Sequence, residues 1–236
     1  MIIIAVNSTI PLSEDQLLAG LSIVGEDKAK RISSFIMQKD KERGILGDLL
    51  IRYLIGNEFN VSPKDIVIGT DLYGKPYWND SEKYDFNISH SGDWVVGVLA
   101  SSCVGIDVEQ IGPLDLSVAK HVFSGAELQI ILQKDEEEAK DYFYELWTLK
   151  ESYIKAIGKG FYYSTKDFTI NIQERNNQII DEKQTDLYSF KSYQIDPNYK
   201  LNVCIKGGRD LFPNSISIIT SENLITNLFG GSKNEL

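Results

Sequence analysis

The chain has 236 residues, 42% of them hydrophobic and 25% charged, enough for one large domain or two halves of about 110 residues, each with a buried core. A net charge of −10 argues against a general nucleic-acid binder, and no apolar run approaches the ~20 residues that cross a bilayer. The opening stretch "MIIIAVNSTIPLSE" has no basic region and no small-residue cleavage pattern, and Cys103 and Cys204 are too few and too far apart for a metal cage, so a cytoplasmic chain with reduced thiols is expected.

Residues 2–7 read as a buried strand. Ser13 with Gln16 makes a capping box ahead of a helix to about residue 24, and a second helical segment covers about 26–37. Residues 1–52 hold seven basic and seven acidic side chains, so the whole negative excess lies beyond them. Within this neutral part "KAKR", Lys28–Arg31, suits a small anionic ligand; the alternative is a solvated helix face. A third helix begins near Lys39, with Ile45, Leu46, Leu49, Leu50, Tyr53 and Leu54 at helical spacing. Pro63 ends that pattern, "DIVIG" at 65–69 is a short strand, and "YGKP" at 73–76 is a turn with Lys75 at its tip. Residues 84–90, 93–101 and 104–111 read as consecutive strands joined by short turns. After Pro113 come a helical piece at 115–122, a helix opened by the Ser124–Glu127 capping box and running to about 134, and a longer helix over 139–157 that stops at "GKG". Residues 166–220 read as an antiparallel run of strands, followed by a disordered tail from about 230 to 236. A seam near Ser101–Val104 divides the chain into halves 1–102 and 103–236.

Three stretches carry chemistry. In "VGIDVEQIG" the acids Asp107 and Glu109 alternate on a strand, so they share a face roughly 6.6 Å apart along it. In "WTLKESYIKAIGKG" the residues Trp147, Glu151 and Lys155 stand four apart on one helical stripe. Alone, Glu151 and Lys155 would be an ordinary surface pair. Together with Asp107 and Glu109 they suggest an oxygen-rich site suited to Mg²⁺ and a phosphate, with Lys155 close enough to meet that phosphate. Paired carboxylates also serve glycosidases, which have no evident need for the lysine and the basic cluster. In "FNISHSGDW" a strand ends in small polar residues, which leaves backbone N–H groups for phosphate; His90 either adds a donor or merely caps the strand. His121 has no acid–base company and reads as structural.

"GIDVE", "NISHSG" and "WTLKESYIKAIGKG", in this order and spacing, resemble the 4′-phosphopantetheinyl transferases, closest to the surfactin-synthetase-activating type. The likeness extends to "RGILGDLLIR", "LYGKPY", "FSGAE" and "DYFYELW", nearly the whole chain. It implies an α+β fold of two similar halves related by a pseudo-twofold axis, with coenzyme A between them in one monomer. It implies transfer of the phosphopantetheine arm of coenzyme A to a serine of an acyl or peptidyl carrier protein, with release of adenosine 3′,5′-bisphosphate. By the same resemblance Asp107, Glu109 and Glu151 hold Mg²⁺ on the pyrophosphate, Glu151 helps deprotonate the serine, and Lys155 offsets charge as the bond breaks. Lys28, Arg31, Lys75, Ser89 and His90 match positions that grip the nucleotide and phosphates, with Lys30 and Arg43 as weaker additions. Peptidyl carriers of nonribosomal peptide synthesis and antibiotic biosynthesis are the expected partners. The piece Ile111–Phe123, with Leu114, Leu116 and Phe123, is expected to contact a carrier helix; the alternative is ordinary packing. Two other functions fit the same residues: a non-catalytic coenzyme A-binding protein and a Mg²⁺-dependent hydrolase.

Overall fold

The computed structural model describes residues 1–173 and 177–229; the expected tail lies outside the described residues. Its strands are β1 (Ile2–Asn7), β2 (Ile68–Thr70), β3 (Pro76–Trp78), β4 (Asp85–Ser91), β5 (Trp94–Ala100), β6 (Val104–Gln110), β7 (Thr169–Asn171), β8 (Gln178–Ile180), β9 (Tyr188–Ser192), β10 (Tyr199–Lys206) and β11 (Ser217–Thr220). Its α-helices are α1 (Glu14–Ile23), α2 (Glu26–Ser33), α3 (Gln38–Phe59), α4 (Leu116–Val122), α5 (Gly125–Leu132), α6 (Glu136–Ile157) and α7 (Ser221–Phe229). The class is α+β, as the sequence implies.

One supersecondary order occurs twice. The segment β1–α3–β4–β5 builds a sheet in the order β1-β5-β4, and β6–α6–β9–β10 builds one in the order β6-β10-β9. In both, the first strand pairs antiparallel with the last, and the last with the one before it. Each unit has a helix of 22 residues against its sheet. One face of β1 and β5 (Ile3, Ala5, Val96, Val98) meets one face of β6 and β10 (Ile106, Val108, Leu201, Val203) in a shared core, while α3 and α6 cover the opposite faces. This is the period of two at work: β1, β5 and β10 have apolar residues on both sides, whereas β4 and β6 each turn a face of polar residues or glycine toward the seam between the sheets.

The capping boxes at Ser13–Gln16 and Ser124–Glu127 form as read. Other expectations change. The second helix stops at Ser33, four residues early, where the Ser34 hydroxyl turns back to donate to the Arg31 carbonyl. Strands β5 and β6 are not sheet neighbours, because β6 crosses to the second sheet and pairs with β10. The final strand β11 is parallel, beside β1 at Ile4↔Ser217 to Asn7↔Thr220, and the unanticipated α7 adds Leu224 and Ile225 to the first core. Lys75 is no free turn tip: its ammonium reaches Asp85 Oδ2 at 2.5 Å and the Val104 carbonyl at 3.3 Å.

Gly105 explains how α6 lies so close on β6. A Cβ there would stand 2.0 Å from the Ser152 carbonyl oxygen and 2.5 Å from the Ala156 nitrogen, both helix backbone that cannot swing aside. Gly105→Ala is therefore expected to cost about 1–3 kcal/mol and to push Lys155 away from the strand. Thermal melts check this; an unchanged melting temperature would contradict so close a seam.

Candidate functional site

The two sheets meet where β4 runs beside β6. No backbone ladder joins these strands; side chains of β4 take its place. The Val104 N–H donates to Asp85 Oδ2 at 2.8 Å, the Ile106 N–H to Asn87 Oδ1 at 3.0 Å, and the Gln110 N–H to Ser91 Oγ at 3.1 Å. Ser89 breaks the series: its hydroxyl donates to Asp107 Oδ1 at 2.8 Å. All four residues stand on one face of β4 by the alternation of a strand. Ser91 also donates to Glu109 at 2.9 Å, so both acids of β6 hold on to β4.

Lys155 crosses from α6 into this seam. Its ammonium lies 2.6 Å from Asp107 Oδ1, 3.0 Å from Ser89 Oγ and 3.2 Å from the Ile106 carbonyl. Asp107 is buried, and its other oxygen, Oδ2, has no hydrogen-bond partner among the described residues. Burial raises the Asp107 pKa, against the pull of Lys155. Glu109 is pushed up to about 7, first by burial and then by the Asp107 charge. Glu151 is raised by burial and by Asp107. The three acids thus feel one another across the site.

They are not drawn to one point. Among the described residues, no three His, Cys, Asp or Glu side chains are close enough to hold a metal ion. Like charges repel, and Lys155 is the counter-ion that the fold itself brings to Asp107. The chemistry of the donor set nevertheless fits a hard divalent cation. It is all oxygen, it includes one orphaned buried carboxylate oxygen, and Mg²⁺ needs only one or two carboxylates when phosphates complete its shell.

On the other side of β4 lies a cleft of about 750 Å³, walled by the cations Lys28, Arg31, Arg52 and Lys64, the acids Glu26, Asp27 and Asp48, and Ile88 among others. Two of the expected grip residues, Lys28 and Arg31, thus share one cavity, and Lys75 stands between two of its lining residues, Gly74 and Pro76. Lys30 does not join them; it pairs with Glu26 on the exposed face of α2. Ser89 and His90 separate, as neighbours on a strand must: Ser89 faces Asp107, and His90 the α3 side. Protein packed around part of the His90 ring, and then the Arg43 guanidinium, hold its pKa below the ordinary value, so the ring is neutral at pH 7. Arg43 itself donates to the Gly92 carbonyl and to Asp40. The backbone of β4 pairs with β5 through Ser91↔Trp94, so the strand end is less open than its small polar residues imply.

Beyond Glu109, Pro113, Val118, Phe143, Tyr144 and Trp147 line a small hollow of about 180 Å³. Leu116 is exposed beside it, whereas Phe123 is buried with its ring against Phe143, so Phe123 belongs to the core and not to a surface. His121 bonds its own helix, at the Ser117 carbonyl.

Sequence reasoning missed Asp85, Asn87 and Ser91 as the stitch between sheets. The signal was there: polar residues at 85, 87, 89 and 91 alternate with Phe86, Ile88 and His90. It also missed Lys150, whose neighbour Glu151 drew the attention.

A family model described as the 4′-phosphopantetheinyl transferase superfamily matches residues 103–204, and one described as 4′-phosphopantetheinyl transferase, N-terminal, matches residues 11–104. Similar proteins include the 4′-phosphopantetheinyl transferase ffp of Bacillus subtilis, 36% identical over 217 residues that span 91% of this chain and 96% of that one. The 4′-phosphopantetheinyl transferase Sfp of Bacillus subtilis (strain 168) is 36% identical over the same shares of the two chains. Among solved structures, a holo-(acyl-carrier-protein) synthase from Bacillus anthracis in complex with CoA aligns with 15% identity and a TM-score of 0.39, over 45% of this chain and 97% of that one.

Proposed function

The chain belongs to the 4′-phosphopantetheinyl transferase superfamily, and on that premise we propose how its residues move the phosphopantetheine arm of coenzyme A onto a serine of a carrier protein. The observation that carries the reading is the contact of Lys155 with Asp107 and Ser89 at the seam, between a basic cleft on one side of β4 and two raised carboxylates on the other. Coenzyme A is a polyanion: the cleft with Lys28 and Arg31 takes its nucleotide end, Lys75 adds its charge from beside Asp85, and the seam takes its pyrophosphate. Bound there by Asp107, Glu109 and Glu151, Mg²⁺ would supply neutralisation of the diphosphate charge. Glu151, whose pKa burial raises above the ordinary carboxylate value, accepts the proton of the serine hydroxyl. The serine oxygen bonds to the phosphorus of the phosphopantetheine, the bond from that phosphorus to the nucleotide-side oxygen breaks, and adenosine 3′,5′-bisphosphate leaves with the bond's electron pair. Lys155 faces the charge that gathers on this leaving group. His90 contributes as a neutral hydrogen-bonding ring.

The halves divide at 102/103 in this reading, except that β11 and α7 return from the C-terminal part of the chain to the first sheet and core, and the halves are related by a pseudo-twofold axis. Supporting it are the repeated strand–helix–strand–strand order and the two family models that abut at residues 103–104. The enzyme works as a cytoplasmic monomer on peptidyl carriers of nonribosomal peptide synthesis and on acyl carriers. Leu116 and the hollow beside Glu109 receive the carrier. Incubation with coenzyme A, Mg²⁺ and a panel of apo carriers is expected to add one phosphopantetheine to a carrier by mass. Binding of coenzyme A without any transfer, or release of the bisphosphate without a carrier, would overturn the reading.

The pH dependence has a definite sign. Glu109 titrates at 4.5 in a free chain and at about 7 in the fold, so between these values the folded protein holds a proton that the unfolded chain has released. Its contribution to stability therefore falls as pH rises through that interval. Melting temperatures from pH 5 to 7.5 are expected to fall more steeply for the wild type than for Glu109→Gln. Equal slopes would show that Glu109 is not raised.

A further inference from the structure

The wall of the cleft where an anion is to bind holds three carboxylates, Glu26, Asp27 and Asp48, of which Asp48 is the buried one. Asp48 is 1% exposed, on the inner face of α3, and its Oδ2 lies 2.7 Å from the Lys28 ammonium. Its Oδ1 accepts from Arg52 Nε, and Arg52 is anchored in turn on the Pro63 and Ile66 carbonyls at 2.6 and 2.9 Å. The chain of contacts runs from backbone to Arg52, to Asp48, to Lys28, and ends in the cleft, where the Lys28 side chain is 29% exposed.

Taken singly, Asp48 should weaken the binding of a phosphate through repulsion. Arg52 cancels that charge, so the trio retains the single positive charge of Lys28. What Asp48 adds is direction. A free lysine explores many rotamers and gives up that freedom on gripping an anion, whereas a lysine already tethered has given it up beforehand. We propose that Asp48 is a positioning residue that fixes the Lys28 ammonium in the cleft wall, with Arg52 orienting Asp48, so that coenzyme A meets a preset cation. This deepens the transferase reading and rests on it. It concerns binding of the nucleotide end and not the bond that breaks.

The test is a cycle of variants read by steady-state transfer to an apo carrier. Asp48→Asn keeps the shape and loses the charge. It is expected to raise the KM for coenzyme A by about tenfold with kcat within about twofold, the loss of roughly one charge-assisted hydrogen bond. Asp48→Glu keeps the charge that Arg52 needs but displaces the ammonium, and is expected to raise KM in the same direction. In a Lys28→Gln background both changes are expected to have no further effect on KM, because the group they position is gone. An effect of Asp48→Asn that persists undiminished in that background, or that falls on kcat alone, overturns the inference and leaves a structural role. Absence of transfer by the wild-type enzyme fails the transferase reading instead, so the two failures are told apart.

Discussion

Asp107→Ala is expected to abolish transfer while the chain still folds. The carboxylate has two connections through Oδ1, Lys155 at 2.6 Å and Ser89 at 2.8 Å, while its Oδ2 has no partner among the described residues. Its loss frees the Lys155 ammonium proposed to face the leaving group, frees the β4 hydroxyl, and removes an oxygen proposed for a divalent cation. A single preorganised electrostatic contact is worth about 10²–10³ in rate, and more than one is lost here, so a fall of at least about a thousandfold is expected. Stability is expected to change little. Burial raises the Asp107 pKa despite both partners, which means that the charged form is held in the fold against a net penalty. Asp107→Asn, which keeps the volume, is expected to lose activity as well. The rate of holo-carrier formation by mass, with a thermal melt alongside, checks both parts. A variant that transfers at the normal rate would refute the assignment of the site.

The second large effect is on stability. Lys150 and Glu151 are adjacent on α6 yet point about 100° apart, one inward and one to the site. Lys150 is 0% exposed; its ammonium lies 2.9 Å from Glu127 Oε1 and donates to the Thr165 and Phe168 carbonyls, each at 2.7 Å. Glu127 accepts in addition from the Ile170 N–H and the Ser124 N–H, each at 2.8 Å. One ion pair thereby ties α5, α6 and the stretch leading into β7. Burial lowers the Lys150 pKa, with Glu127 opposing. Lys150→Ala leaves a buried carboxylate without its cation and two carbonyls without a donor, at a cost of about 3–5 kcal/mol. For a chain of this size the melting temperature is expected to fall by roughly 10 °C or more. Replacing both partners with apolar side chains, Lys150→Met with Glu127→Leu, is expected to cost less than Lys150→Ala alone, because no orphan charge remains. If the single variant melts with the wild type, the pair is not the buried tie described.

Much of this molecule was legible before any coordinates. Helical spacing placed α3, and Ser–x–x–Gln and Ser–x–x–Glu marked the starts of α1 and α5, because a cap is satisfied by residues within one turn. Short strand-like stretches between turns marked β1, β4, β5 and β6, and the pairing of acids at 107 and 109 with the 151–155 stripe pointed to one polyanion site. These are local patterns, and local physics sets them.

The rest depended on residues far apart in the chain. Nothing within "VGIDVEQIG" says that β6 leaves its predecessor for a strand nearly a hundred residues on, or that β4 side chains replace the missing ladder. The parallel β11 is invisible locally because its partner is β1, at the opposite end of the sequence. Gly105 reads as a weak strand residue until α6 is laid against it. Lys150 and Asp48 carry no signal in the sequence; their partners Glu127 and Lys28 are set beside them by the fold. Periodicity reports which face a residue takes; only packing decides what stands opposite that face, and the energy of a buried charge is set by what stands opposite.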